Sequence, residues 1–238
     1  AVSSAEGLVS MSKTTIKGGE SVVLTADIDL TGIEFNGLKA FNPEPNNTFD
    51  GQGHTVSNWT NESGASDMAF IKSWVGTIKN VTVENASLMT AGRSAVLAGN
   101  VYANIVNCHV VNSTIEDSYW ACGVIAGLYN SGSITNCSVD GCSVKSNGGV
   151  GGIVGVINES AGERIVENCT VKNTTVNNTG VYGAGYSGAL VAGMLNADGA
   201  TFKFANCKLE NNTKEGQYVG DLFYSADSKT VYVDGVLQ

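Results

Sequence analysis

The chain has 238 residues, a net charge of −9 and only 15% charged residues. Its two arginines, Arg93 and Arg164, form no basic stripe, so nucleic acid and electrostatic docking on an anionic membrane are excluded as targets. No run of about 18 apolar residues occurs, which excludes a transmembrane helix.

Thirty glycines, two prolines and abundant Asn, Ser and Thr call for many tight turns. Valine and threonine outnumber the good helix formers, so the regular structure is expected to be strand. The chain starts at Ala1 without the basic and apolar regions of an export signal, and the expectation is that any such signal has been removed or lies outside the given sequence.

Residues 1–67 read as irregular N-terminal rungs and a cap. Val22 to Leu30 alternates like a strand. Asp27 and Asp29 lie two apart on its one face, which fits a calcium site and a solvated end strand equally well. Asn42 to Asn47 holds both prolines and reads as a loop, and Asn47 to Val56 reads as strand, Asp-Gly turn, strand.

Residues 68–224 are repetitive. One box has the form Ala/Gly-x-apolar-Ala/Val-Gly and begins at Ala95, Gly123, Gly151 and Ala189. A second has the form Asn-Cys-x-Val or a close variant. Its asparagines are Asn80, Asn107, Asn136, Asn168 and Asn206, spaced by 27, 29, 32 and 38 residues. The growing spacing comes from insertions: Glu159 to Glu163, Asn196 to Gly199, and a stretch near Asn177 to Gly185. Insertions at fixed points of a constant frame are loops on a repeating scaffold.

In Ile134-Thr135-Asn136-Cys137-Ser138-Val139 the period-two pattern holds only if the chain bends at Asn136. Asparagine tolerates the left-handed conformation that such a bend requires. A second bend follows five residues on, at Asn85, Asn112, Gly141, Asn173 and Asn211, and the next segment turns Leu88, Ile115, Val144 or Val176 inward. Each repeat therefore holds three short strands, two sharp corners and one longer loop. The expected fold is all-β, a single-stranded right-handed parallel β-helix of roughly seven to eight rungs. The small Ala95, Ala98, Ala126, Ala189 and Ala192 suit a narrow interior. Gly220 to Tyr224 is a decayed last frame. Residues 225–238 read as a C-terminal cap with Thr230 to Val233 as a closing strand, so that 1–238 form one domain.

Cys108, Cys137, Cys169 and Cys207 share one phase of successive repeats and are read as a buried thiol stack. Cys122 and Cys142 fall out of phase, free to pair with each other or to lie buried and reduced. The sequence contains no Cys-x-x-Cys, so no metal or other cofactor is expected.

These units resemble a known family. Ala26-Asp27-Ile28-Asp29-Leu30, then Phe49-Asp50-Gly51-Gln52-Gly53-His54-Thr55-Val56, then the Gly-x-Ile-Val-Gly and Ile-x-Asn-Cys-x-Val units, look like GLUG-type bacterial surface proteins of the pectate-lyase-like β-helix superfamily. The resemblance covers roughly residues 20 to 225. It implies an exported or cell-surface protein, often a segment of an adhesin, whose motif residues build corners and core.

Two enzymatic alternatives on the same fold make specific demands on the sequence. A polysaccharide lyase on this fold needs a basic residue beside acidic ones. Arg93 has no acidic residue expected in register, and Arg164 sits in an insertion between Glu163 and Glu167, where a surface ion pair explains it. A glycosidase needs neighbouring carboxylates. The acids weighed are Glu84, Glu116, Asp117, Asp140 and Asp221. Glu84 and Asp140 stand two rungs apart with Val111 between, about 9–10 Å in strand spacing, at a position shared with Lys172 and Glu210. Neither His54 nor His109 has a nucleophile partner visible by spacing. No catalytic residue is assigned.

The aromatics point to binding instead. Tyr119 and Trp120 precede one first-box strand, Tyr182 and Tyr186 another, and Tyr218 the last, all on one side of the frame. Exposed rings beside Asn, Ser and Asp suit sugar rings. The expected function is a non-catalytic, exported adhesin-like module binding glycan or a surface partner through its loop side. The alternatives are a polysaccharide lyase or glycoside hydrolase on the same fold and a passive stalk.

Overall fold

The computed structural model describes residues 1–39, 46–158, 162–180, 187–195, 200–213, 219–224 and 230–237. They form a parallel β-helix. One coil shows the plan: Ala98–Val106, His109–Val111, Thr114–Asp117 and Ala121–Gly123 each lie in a different sheet. Among the described residues the sheet of two- and three-residue strands is seven strands deep, so six full turns separate its first strand from its last.

Both expected corners are present. Asn80, Asn107, Asn136, Asn168 and Asn206 have φ between 50 and 56°, and Asn85, Asn112, Gly141, Asn173 and Asn211 have φ between 49 and 65°. The side chains add to the turn, since Asn107 Nδ2 donates to Asn80 Oδ1 (3.0 Å) and Asn206 Nδ2 to Asn168 Oδ1 (2.7 Å). Between the corners one inward column runs Ile28, Val56, Val83, Val110, Val139, Val171, Leu209, in register throughout. After the second corner Leu88, Ile115, Val144 and Val176 form the next column, all buried. Period-two strands between left-handed corners leave each apolar residue directly over its counterpart.

The coil differs from expectation in having four strands, not three. The first box is not one strand. Gly123 ends one strand, Val124 and Ile125 bend inward, and Ala126 begins the next. The chain folds back at this bend, and the short sheet of Ala121–Gly123 lies against the long sheet. A Cβ on Gly127 or Gly155 would come within 2.6 Å of the backbone of Ser94 or Cys122. The box glycines therefore permit contact between two sheets, which period-two reasoning on a single strand does not reveal.

All six cysteines are free and buried. Cys108, Cys137, Cys169 and Cys207 form the expected stack, each thiol donating to the carbonyl two residues before it (3.3–3.5 Å). Cys142 proves to be in phase with a second stack. It occupies the residue after the second corner, the position of Ala86, Ser113, Thr174 and Asn212, and its N–H donates to Thr174 Oγ1. Burial pushes its thiol up to about 11. Cys122 pairs in register with Ser94 and Val150 in the fold-back sheet.

The ends are irregular. A helix, α1 (Ala5–Ser12), is capped by Ser4, whose Oγ accepts the Gly7 N–H, and it buries Leu8 against the first coil. It covers an end that would otherwise present bare strands. The interior beneath it is aromatic. Phe70 lies 5.6 Å from Phe35, 5.6 Å from Phe49 and 6.5 Å from Trp59, ring to ring. The Asp50-Gly51 turn is a corner between sheets: Asn47–Asp50 and Thr55–Ser57 pair with neighbouring coils and not with each other. At the other end Thr230–Val233 joins the long sheet and pairs antiparallel with Val236–Leu237. The three insertions fall largely outside the described residues. Among the described residues no helix is long and apolar enough to cross a membrane.

Candidate ligand-binding groove

The loops between the four-residue strands and the fold-back strands stack on one side of the coil. Three successive loops, Ser66-Asp67, Ala91-Gly92-Arg93 and Ser118-Tyr119-Trp120, line an open groove of about 580 Å³. Backbone hydrogen bonds hold them together: Asp67 N–H to Ala91 O (2.9 Å), Ser118 N–H to Thr90 O (2.9 Å) and Ala121 N–H to Gly92 O (2.9 Å).

Tyr119 and Trp120, both expected at a binding surface, are in this groove. Tyr119 is 56% exposed. Trp120 is half-buried, packed on a small cluster of Ala121, Leu128 and Val156 outside the main core. Tyr182, Tyr186 and Tyr218 lie outside the described residues.

The polar part of the groove is an ion pair that sequence reasoning missed. Arg93 Nη2 donates to Asp67 Oδ2 (2.7 Å) and Nε to Oδ1 (3.0 Å), while the Arg93 backbone N–H also donates to Oδ1 (3.0 Å). The expectation that Arg93 has no acidic partner in register is thus wrong. Asp67 stands 26 residues earlier, one coil, and the repeat spacing was the signal that could have found it. Burial raises the Asp67 pKa, but the hydrogen bonds and charge of Arg93 outweigh it and hold the carboxyl below its ordinary range. The same hydrogen bonds raise the pKa of Arg93. A two-pronged pair of this kind is directional as well as attractive.

Asp117 shapes the aromatic wall. It is 2% exposed, and its Oδ1 accepts the N–H of Tyr119 (2.7 Å) and of Trp120 (3.1 Å), while Thr90 Oγ1 donates to Oδ2 (3.0 Å). It holds the loop and is not part of the groove's lining. Replacing Asp117 by Ala is expected to cost about 1–3 kcal/mol in denaturant unfolding, because those donors lose their acceptor. Burial pushes the Asp117 pKa up, against these hydrogen bonds. The folded chain therefore keeps its proton to higher pH than the unfolded chain. Its contribution is fully present below the ordinary value of 3.8 and is lost as pH rises through the folded value. Asp117→Asn should remove that dependence and keep the loop.

Two of the other candidate acids are paired with lysines. Glu84 and Asp140 do flank Val111 in register. However, Asp140 is bound by Asn173 Nδ2 (2.9 Å) and Lys172 Nζ (3.0 Å), which hold its pKa down. Glu116 pairs with Lys145 (2.6 Å). Only the backbone of Asp221 is described. Arg164 is not in a surface loop: it lies on the strand Gly162–Glu167 and is 5% exposed. Asp29 accepts from Thr31 and Asn58, and Asp27 from Thr55, so the two carboxylates serve different neighbours.

Both histidines have partners that spacing did not show. His54 Nδ1 is 3.1 Å from Asp27 Oδ1. His109 Nδ1 is 2.7 Å from Ser138 Oγ, and its Nε2 is 3.2 Å from Asn107 Oδ1. Burial lowers the pKa of His109. This is a hydroxyl, an imidazole and an orienting amide, yet it lies on a flat strand face. The Ser138 N–H donates to Cys108 O (3.1 Å) and the His109 N–H to Val81 O (2.9 Å), so the sheet consumes the donors that an oxyanion would require.

No protein-family profile matches the chain. No curated protein matches it either. Its fold is similar to the crystal structure of a candidate immunoglobulin A1 protease from Bacteroides ovatus, with a TM-score of 0.71 and 22% identity over 99% of this chain and 77% of that one. At that identity the likeness carries the β-helix fold alone.

Proposed function

We propose that the chain is a non-catalytic, exported or cell-surface module of the GLUG type that binds glycan through the stacked-loop groove. The observation that carries this reading is the placing of an exposed tyrosine and a half-buried tryptophan beside a preformed Asp67–Arg93 pair. Rings give a sugar its apolar face, and a fixed ion pair gives its hydroxyls donors and acceptors. The repeat boxes support the GLUG resemblance and with it the surface location.

The name of the Bacteroides ovatus neighbour would assign peptide hydrolysis. That name is the neighbour's alone; the non-catalytic reading is supported by the Ser138–His109 pair, whose own two backbone N–H groups are both donated within the sheet. Of the candidate glycosidase acids, Glu116 and Asp140 are engaged by lysines and Asp117 by the backbone.

The test is a glycan array of host and plant polysaccharides, with Tyr119→Ala and Trp120→Ala beside the natural chain. The expected result is a specific hit that weakens about tenfold or more in each variant. Unchanged binding in both folded variants would remove the groove as the site. Labelling of Ser138 by a serine-directed phosphonate would overturn the non-catalytic reading.

A further inference from the structure

We propose that the groove selects a short uncharged oligosaccharide lying along the helix axis, and that Asp67 is the residue that turns acidic sugars away. This inference rests on the glycan-binding reading above.

The direction follows from the lining. Its residues come from the same loop of three successive coils, and coils rise by about 4.8 Å each, so first and third loops are about 10 Å apart. A pyranose chain running along the axis meets one loop after another. A chain running across the coils meets a single loop.

The charge selection follows from the pair. Asp67 already occupies Nε and Nη2 of Arg93 and its backbone N–H as well. A sugar hydroxyl both donates and accepts, so it joins the edge of this pair without breaking it. A ligand carboxylate only accepts. To reach Nε and Nη2 it must displace Asp67, and at the remaining Nη1 and Nη2 protons it brings its charge close to the Asp67 carboxylate. The chain's net charge of −9 adds to that repulsion.

The pair is built into the backbone. Asp67 sits at φ 55°, in the left-handed region. Gly92, at φ 111°, faces it, and a Cβ there would come within 2.8 Å of Asp67 Oδ1. Among the described residues the remaining nearby cations are Lys72, which acts on Asp67 through space, and Lys39, which acts on Lys72. Neither lines the groove. The other lining residues, Ser66, Ala91, Gly92, Ser118, Tyr119 and Trp120, are uncharged.

The experiment is calorimetric titration of the full chain with a length series of neutral gluco- and galacto-oligosaccharides, and with matched uronate-containing and sialylated ones. The same series is run on Asp67→Asn, which keeps an Oδ1 acceptor and tolerates the left-handed backbone. The natural chain is expected to bind neutral members with an affinity that rises with length and levels once the three coils are spanned. Acidic members should bind at least about tenfold more weakly. Asp67→Asn should weaken neutral binding and close that gap. Preference of the natural chain for acidic members would overturn the inference, leave the glycan reading standing and point to Lys72 and Lys39. A folded Asp67→Asn with an unchanged profile would overturn the role of Asp67. No binding by either class would overturn the glycan reading itself.

Discussion

Gly151→Ala is expected to destabilise the protein by about 3 kcal/mol or more, a fall of roughly 6–12 °C in Tm for a chain of this size. Gly151 pairs in register with Gly123 and Gly188 in the fold-back sheet. A Cβ at Gly151 would overlap the carbonyl oxygen of Val154, across the bend, and would stand 2.9 Å from Leu190 O on the next coil. These are backbone atoms in hydrogen-bonded strands, so no side chain can rotate away. Either the bend opens or the coils separate, and both break the stacking on which each repeat depends. Thermal unfolding followed by circular dichroism measures the change. A Tm within a degree or two of the natural chain would show that the fold-back is looser than described.

Phe70→Ala is expected to cost about 3–5 kcal/mol. Phe70 is fully buried and meets three rings, Phe35, Phe49 and Trp59, with its plane 84° to Phe49 and 69° to Trp59. Edge-to-face contacts of this kind add to the loss of buried area. The cavity would open in the N-terminal coils, where Trp59 Nε1 also donates to Phe35 O (2.9 Å). Interior columns of valine elsewhere pack one residue per rung and have no such shared hub. Phe70→Leu should recover part of the loss in denaturant unfolding. A loss below about 1 kcal/mol for Phe70→Ala would mean that the N-terminal coils unfold independently of the transition measured.

Much of the fold was legible because a β-helix writes its geometry into local sequence. The positions of Asn107, Asn112 and their equivalents require left-handed backbone, which few residue types tolerate. Cys108 and its equivalents require a small buried side chain. Both demands recur once per coil, so they appear as a repeat. The helix α1 was less visible. Its signal is short, a capping Ser4 before Ala5-Glu6-Gly7-Leu8, and it matters only because an open coil end needs cover.

The groove was half legible. Tyr119 and Trp120 stood out because they belong to a row of aromatics that precede successive strands on one side of the repeat frame. The wall that holds them was not, since Asp117 reads as one more solvent-facing acid until its burial is seen. The hydroxyl beside His109 was missed although the repeat held it: Ser138 stands two residues after Asn136 as His109 does after Asn107, so the two are neighbours on adjacent coils.

The sequence by itself determined the coil: which residues turn, which face inward and how far apart the repeats lie. Those are properties of one residue and its neighbours, set by backbone sterics and strand periodicity. The tertiary structure decided what lies beside what away from the stacked columns of the repeat boxes. It folded the first box back on the long sheet, brought Asp67 to Arg93 and buried Asp117 under the aromatic loop. These are contacts between coils, and their partners depend on the exact register of stacking, which loops of unequal length conceal in the chain.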